Sequence, residues 1–239
     1  MAKQVLFPAE IDYPDSDGKP LAESDFQFDP LTYARNALRY HYRGRSDVYV
    51  AGNMLIYYEE GNVKARVAPD VFVVMGATPY DRSSYLLWRE PKGPDWVLEV
   101  TSRSTRREDQ GRKRELYREL GVAEYWQFDP TGDYLAPRLQ GSELVSGQYE
   151  GLAVRKAAAG GLTMWSRVLE LELRLESDGL RFYDPATEKY LLTHAEAEDE
   201  RQREKQARQA AERTAAEAQA RVAALEAQLA TGRGSSEPE

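Results

Sequence analysis

Apolar and polar positions along the chain fall into strand-like and helix-like registers, and the most informative stretch is residues 69–113. Val71, Phe72, Val73 and Val74 form an apolar run that opens on Pro69-Asp70 and is bounded by Gly76, the pattern of a buried strand with an acid at its mouth. Asp95-Trp96-Val97-Leu98-Glu99-Val100-Thr101 is a second such run, with a glutamate inside it. Side chains alternate along a strand, so Glu99 shares a face with Val97 and Thr101 while Leu98 and Val100 take the other. A helix is predicted next, because Thr105-Arg106-Arg107-Glu108 has capping-box spacing and Gly121 supplies a stop. Its apolar stripe of Leu116, Tyr117 and Leu120 extends backward onto Lys113 and Asp109 rather than onto more hydrophobes. Arg114 with Arg118 and Glu115 with Glu119 fall four apart on what reads as the outer face. An ammonium turned toward a core is costly unless it is paired, and the carboxylates of Asp70 and Glu99 are candidate partners.

The remaining pattern surrounds this stretch with short elements. Residues 1–28 read as irregular and turn-rich, and Asp29-Pro30 as the start of a helix that keeps Leu31, Ala34, Leu38 and Tyr42 on one side, with His41 structural. Residues 47–51 and 54–58 look like two short strands joined at Gly52-Asn53, and residues 59–62 like a turn. Residues 79–92 read as a packed loop or short helix. Residues 123–129 form a further strand, and the strand–helix–strand succession predicts a crossover that pairs it in parallel with the Glu99 strand. Segments 134–135, 143–145, 149–154, 169–175 and 180–183 read as short strands that extend the sheet or add a small layer. From residue 195 to 230 there is no Gly or Pro, which predicts a long helix, and Ala211, Ala215, Ala218, Val222, Leu225 and Leu229 step along it as a heptad seam. The expected division is a domain over 1–192, a coiled-coil helix over 193–230 that makes a homodimer, and a disordered tail over 231–239.

Composition narrows the chemistry. The chain has 239 residues, 41% hydrophobic, enough for an ordinary core. It has no cysteine, which removes disulfides, thiolate zinc sites and cysteine nucleophiles and suits a reducing cytoplasm. With two histidines, His41 and His194, neither a His-rich metal site nor a supported Ser/His/Asp triad is in view. No signal peptide or membrane span is expected, so the predicted location is the cytoplasm. The net charge of -8 argues against a general polyanion binder. Locally the sign reverses, for Arg103, Arg106, Arg107, Arg112, Lys113, Arg114 and Arg118 face Glu108, Asp109 and Glu115 within one segment.

Taken together, Pro69-Asp70, Glu99-Val100-Thr101-Ser102, Asp109, Lys113 and Gly121-Val122-Ala123-Glu124-Tyr125-Trp126 resemble the Uma-two family of restriction endonucleases, within the PD-(D/E)xK nuclease superfamily. The resemblance runs over about residues 13–192 and includes Tyr13-Pro14-Asp15-Ser16-Asp17-Gly18-Lys19-Pro20, Ala22-Glu23-Ser24-Asp25 and Leu180-Arg181-Phe182-Tyr183-Asp184. It implies a restriction-endonuclease-like α/β (α+β) fold, a mixed sheet flanked by helices, to which the long C-terminal helix is added. It also implies that Asp70 and Glu99 hold Mg²⁺ (or Mn²⁺), with the Val100 carbonyl as a further ligand. Oxygen-only donor sets of this kind suit those ions on chemical grounds. The superfamily's lysine normally lies two residues after the glutamate, where this chain has Thr101, and the resemblance moves its role to Lys113. Asp109 and Thr101 are supporting residues, and Arg103, Arg106 and Arg107 are the candidate DNA contacts. The reading is a metal-dependent DNA endonuclease. Its alternatives are a nuclease-like module that binds DNA or protein without cleaving, and a hydrolase of another phosphoester.

Overall fold

The computed structural model describes residues 13–16, 18, 24–156, 161–177 and 179–233, with side chains described as far as residue 227. From the N-terminus come α1 (Asp25–His41), β1 (Val48–Ala51), β2 (Ile56–Tyr57), β3 (Arg66–Val67), β4 (Val71–Met75), β5 (Tyr85–Leu86) and β6 (Trp96–Val100). A site helix comes next in three consecutive segments, Arg106–Glu108, Asp109–Lys113 and Arg114–Glu119. Then come β7 (Glu124–Phe128), β8 (Leu139–Val145), β9 (Gln148–Gly151), β10 (Arg155–Lys156), β11 (Leu162–Ser166), β12 (Leu171–Glu176), β13 (Gly179–Asp184) and β14 (Lys189–Tyr190). The C-terminal helix, His194–Arg233, closes the series. The chain divides into two units, Met1–Leu191 and Leu192–Glu239.

In the first unit the central sheet is mixed, in the order β1-β4-β6-β7-β8-β9, and its one parallel pair is β6 with β7. That pair is the crossover expected from the sequence, with the site helix as the connection. One face of the sheet carries Val71, Val73, Trp96, Leu98, Val100, Trp126 and Phe128. It packs on Leu31, Ala34 and Leu38 of α1 and on Leu171, Leu173 and Phe182 of a five-stranded antiparallel sheet, β10-β11-β12-β13-β14. The other face carries Phe72, Val74, Val97 and Tyr125, covered by Tyr117 of the site helix and by the three-stranded sheet β3-β2-β5. Glu99 therefore lies on the face turned to the site helix, as strand alternation requires.

Several expectations are corrected. Strands do form on either side of Gly52-Asn53, at Val48–Ala51 and, more briefly than expected, at Ile56–Tyr57, but they do not pair with each other: β1 pairs with β4 and β2 with β3 and β5, in separate sheets. The Asn53 N–H donates to the carbonyls of Pro69 and Asp70, 2.9 and 3.1 Å away, and this turns the chain out of the first sheet. The first helix starts at Asp25, not at Asp29-Pro30, and carries Pro30 inside it; residues 25–28 are thus helical rather than irregular. Tyr134 and Leu135 form no strand, because their N–H groups bind the Asp129 carboxylate, which also takes those of Thr131 and Gly132. The capping box is absent: Thr105 Oγ1 accepts from the Ser102 N–H at 3.1 Å, and Glu108 pairs with Arg112 at 3.7 Å on the surface. Arg114 is not on a solvated face. Its guanidinium donates to Ser142 Oγ at 3.0 Å and to the Tyr149 carbonyl at 3.3 Å, tying the site helix to β8 and β9. Gly121 does end that helix, at φ +75, with the Val122 N–H reaching back to the Tyr117 carbonyl at 2.9 Å.

The second unit is described by itself. A capping box begins its helix, with the Thr193 N–H on Glu196 at 2.8 Å and the Glu196 N–H on Thr193 Oγ1 at 3.2 Å. The helix runs on through residues 231–233, past the expected end at 230, and the remainder of the expected tail lies outside the described residues. Among the described residues, no helix is long and apolar enough to cross a membrane.

Candidate active site

The site lies where β4 and β6 stop pairing. Their antiparallel register sets Val71 against Leu98 and Phe72 against Val97, so the next step of the ladder brings Asp70 opposite Glu99, on one face. The ladder ends there. Instead of a backbone acceptor, the Val100 N–H finds Asp70 Oδ2, at 2.6 Å. The Val100 carbonyl accepts from Gln27 Nε2 of α1 at 3.2 Å. Asp70 is held from behind by Gly52, where an added Cβ would stand 2.5 Å from the Asp70 carbonyl oxygen.

The site helix supplies the rest. Its middle segment, Asp109–Lys113, is a π-helical turn, a form that recurs at functional sites. It directs both Asp109 and Lys113 toward the sheet. Lys113 Nζ donates to Glu99 Oε2 at 2.9 Å and lies 3.2 Å from Asp109 Oδ1. The Tyr117 hydroxyl, one turn on, donates to Glu99 Oε1 at 2.6 Å. The Tyr125 hydroxyl of β7 donates to the Asp109 backbone carbonyl at 2.8 Å, which fixes the π turn on the sheet. Glu99 and Asp109 are each only 1% exposed.

Burial governs the electrostatics. It pushes the Asp70 carboxyl up to about 6, against the pull of Lys113 and of the Val100 N–H. It raises the Glu99 and Asp109 carboxyls as well, again opposed by Lys113. Burial also works against the Lys113 ammonium, but Glu99, Asp109 and Asp70 outweigh it and hold the lysine charged. One ammonium faces three carboxyls, and full ionisation leaves a deficit of two positive charges in a buried place. That deficit equals the charge of one divalent cation, and the donors are the hard oxygens that Mg²⁺ and Mn²⁺ take. Among the described residues, no three His, Asp or Glu side chains are arranged around one metal position. The available set is two carboxylates, Asp70 and Glu99, with the Val100 carbonyl, which fits an ion that keeps several waters.

The structure thus gathers Asp70, Glu99, Val100, Asp109 and Lys113, and places Thr101 beside them with its hydroxyl buried and without a hydrogen-bond partner. The arginines sit differently. Arg103 and Arg107 are exposed just before and at the start of the site helix, and Arg106 is half-buried, its guanidinium 5.4 Å from the Tyr134 ring centre. Two residues were missed. Gln27 gave no usable signal, being a polar residue in a segment read as irregular. Gln127 carried the signal that exposed Glu99, a polar residue inside the apolar run Tyr125-Trp126-Gln127-Phe128. It pairs laterally with Glu99 across β6 and β7 and is 5% exposed, and its Nε2 has no hydrogen-bond partner.

No curated protein matches the chain. Among solved structures, it is similar to one described as a "putative nuclease belonging to DUF820" from Anabaena variabilis, at 11% identity and a TM-score of 0.41, over 56% of this chain and 70% of that one. Residues 9–175 match the Uma2 family, described as "Putative restriction endonuclease". That match takes in more than half of the sequence, from before α1 into β12 and including every residue of the Asp70–Glu99–Lys113 cluster, and the chain belongs to the Uma2 family.

Proposed function

We propose that the protein is a divalent-metal-dependent DNA endonuclease whose site is Asp70, Glu99 and Lys113. The observation that carries this reading is the end of the β4–β6 ladder, where Asp70 and Glu99 stand opposite each other with the Lys113 ammonium 2.9 Å from Glu99. Asp70, Glu99 and the Val100 carbonyl would hold Mg²⁺ or Mn²⁺. When bound, such an ion polarises a phosphodiester and lowers the pKa of water for attack. Lys113 stabilises charge that develops on the phosphoryl oxygens. Tyr117 orients the Glu99 carboxylate, and Gln27 holds the Val100 carbonyl in place. Arg103, Arg106 and Arg107 take backbone phosphates, which makes binding salt-dependent.

The test is cleavage of plasmid and oligonucleotide DNA with Mg²⁺, Mn²⁺ or EDTA, together with calorimetric titration of Mg²⁺. Asp70→Asn and Glu99→Gln should lose both metal binding and cleavage. Lys113→Met should bind metal at least as well as the parent but cleave two to three orders of magnitude more slowly, on the order of the loss when one charge-stabilising donor is removed. The matched control is Arg112→Met, since Arg112 is exposed and away from the sheet. Undiminished Mg²⁺ affinity in both carboxylate variants would remove the site from this account. DNA binding without cleavage by the parent would make the chain a silent binding module.

A further inference from the structure

Three buried polar groups on the sheet-facing side of the π turn lack hydrogen-bond partners: both carboxylate oxygens of Asp109, the Thr101 hydroxyl and the Gln127 Nε2. Each belongs to a side chain no more than 5% exposed. Buried polar atoms in folded proteins are nearly always bonded, so several orphans around one site call for a ligand of matching chemistry. Thr101 and Gln127 share the face of Glu99, Thr101 by alternation along β6 and Gln127 by lateral register on β7. Asp109 stands over that face, its backbone held by Tyr125 of β7.

Lys113 is shared between two carboxylates. The ammonium donates to Glu99 Oε2 at 2.9 Å and pairs with Asp109 Oδ1 at 3.2 Å, which leaves Asp109 Oδ2 as the carboxylate oxygen turned to neither. What remains is the Oδ2 acceptor of Asp109, a donor on Gln127 and a hydroxyl on Thr101 that serves either way. Water fits that set. It can give its protons to Asp109 and Thr101 and accept from Gln127, which leaves one lone pair free.

Building on the nuclease reading above, we infer that Asp109 is a catalytic residue, the acceptor of the proton from the water that attacks the phosphodiester, and that Gln127 and Thr101 are positioning residues for that water. The water oxygen forms a bond to phosphorus as the bond from phosphorus to the leaving sugar oxygen breaks. The water's proton passes to Asp109, and the leaving oxygen takes its proton from solvent.

The experiment compares parent, Asp109→Asn, Gln127→Leu, Lys113→Met and the Asp109→Asn/Lys113→Met pair in single-turnover cleavage, with Mg²⁺ affinity by calorimetry and melting temperature measured on each. Asp109→Asn should cleave at least 100-fold more slowly while binding Mg²⁺ within threefold of the parent. Gln127→Leu should cleave about tenfold more slowly and melt no lower than the parent, since it removes an unpartnered buried amide. A residue that merely steadied Lys113 would add nothing once Lys113 is gone, so the double variant should be at least tenfold slower than Lys113→Met alone. Equal rates for the double variant and Lys113→Met, or Asp109→Asn cleaving within threefold of the parent, would overturn the inference and leave the metal site standing. Parent-like cleavage and an unchanged melting temperature in Gln127→Leu would remove Gln127 from it. A parent that neither binds Mg²⁺ nor cleaves would overturn the nuclease reading, and this inference with it.

Discussion

Asp70 shows how one residue can be a liability without its ion. An ordinary aspartate titrates near 3.9 and this one at about 6, raised by burial, so between those values the folded chain holds a proton that the unfolded chain has lost. Stability therefore falls as pH rises through that window. The penalty is absent below about pH 4 and fully present above about pH 6, on the order of 2 kcal/mol once partial exposure is allowed for. Asn at this position still accepts from the Val100 N–H but cannot ionise. In EDTA, Asp70→Asn should melt above the parent at pH 8 by several degrees, and the gap should close toward pH 4. A gap of constant size across that range would show that ionisation of Asp70 is not its cause. Glu99→Gln should behave in the opposite sense, because it strips the Lys113 ammonium of its nearest counter-charge. Breaking a buried pair in that way costs about 3–5 kcal/mol.

At the scale of elements, the site depends on where strands stop and how one helix turn is wound. The Gly52-Asn53 turn closes against the backbone of Asp70, and Gly52→Ala would push a methyl group to 2.5 Å from the Asp70 carbonyl oxygen. Backbone must move to relieve that overlap. Stability should drop by about 1–3 kcal/mol, as overpacking does, and Mg²⁺ affinity should fall because Asp70 shifts against Glu99. Calorimetry and thermal melting check both, and a variant with parental Mg²⁺ affinity would mean that the turn does not set the position of Asp70. The two strand carboxylates were legible in the sequence because a period of two survives wherever a strand begins or ends. Lys113 and Asp109 were legible because they sit four apart and four to eight residues before Tyr117, on its stripe. The outer face was not. Arg114 stands three residues before Tyr117 on the same α-helical segment, close enough to the stripe for its long side chain to reach the edge of the sheet, and although expected in solvent it lies on Ser142 and Tyr149. The turn at Gly52 was also hidden, since a Gly-Asn pair between two apolar runs is a strong hairpin signal, and only its bonds to Pro69 and Asp70 send β1 and β2 to different sheets.

For the molecule as a whole, the open question is what the C-terminal helix does for the nuclease-like unit. A helix of 40 residues is about 60 Å long. It carries exposed Val222 and Leu225 on the seam that begins at Ala211, while the side chain of Leu229, the last seam position, lies outside the described residues. Its surface charges pair within the helix, as in Arg208 with Glu212 and Arg201 with Glu198, which stabilises it without a partner but does not cover the seam. Self-association through that seam would cover it, in the manner of a short coiled coil weak at its alanine end. The core clusters described for the first unit are built from residues 31–191. Deleting residues 192–239 should therefore leave the melting temperature of the remaining unit within a few degrees of the full chain, and should convert a dimer into a monomer. Sedimentation of both forms across a range of concentrations decides the matter. If the truncated form keeps the oligomeric state of the full chain, any interface lies within residues 1–191 and the helix serves another end. If it becomes monomeric and still cleaves, each copy carries a complete site, and dimerisation acts only by presenting two sites to one DNA.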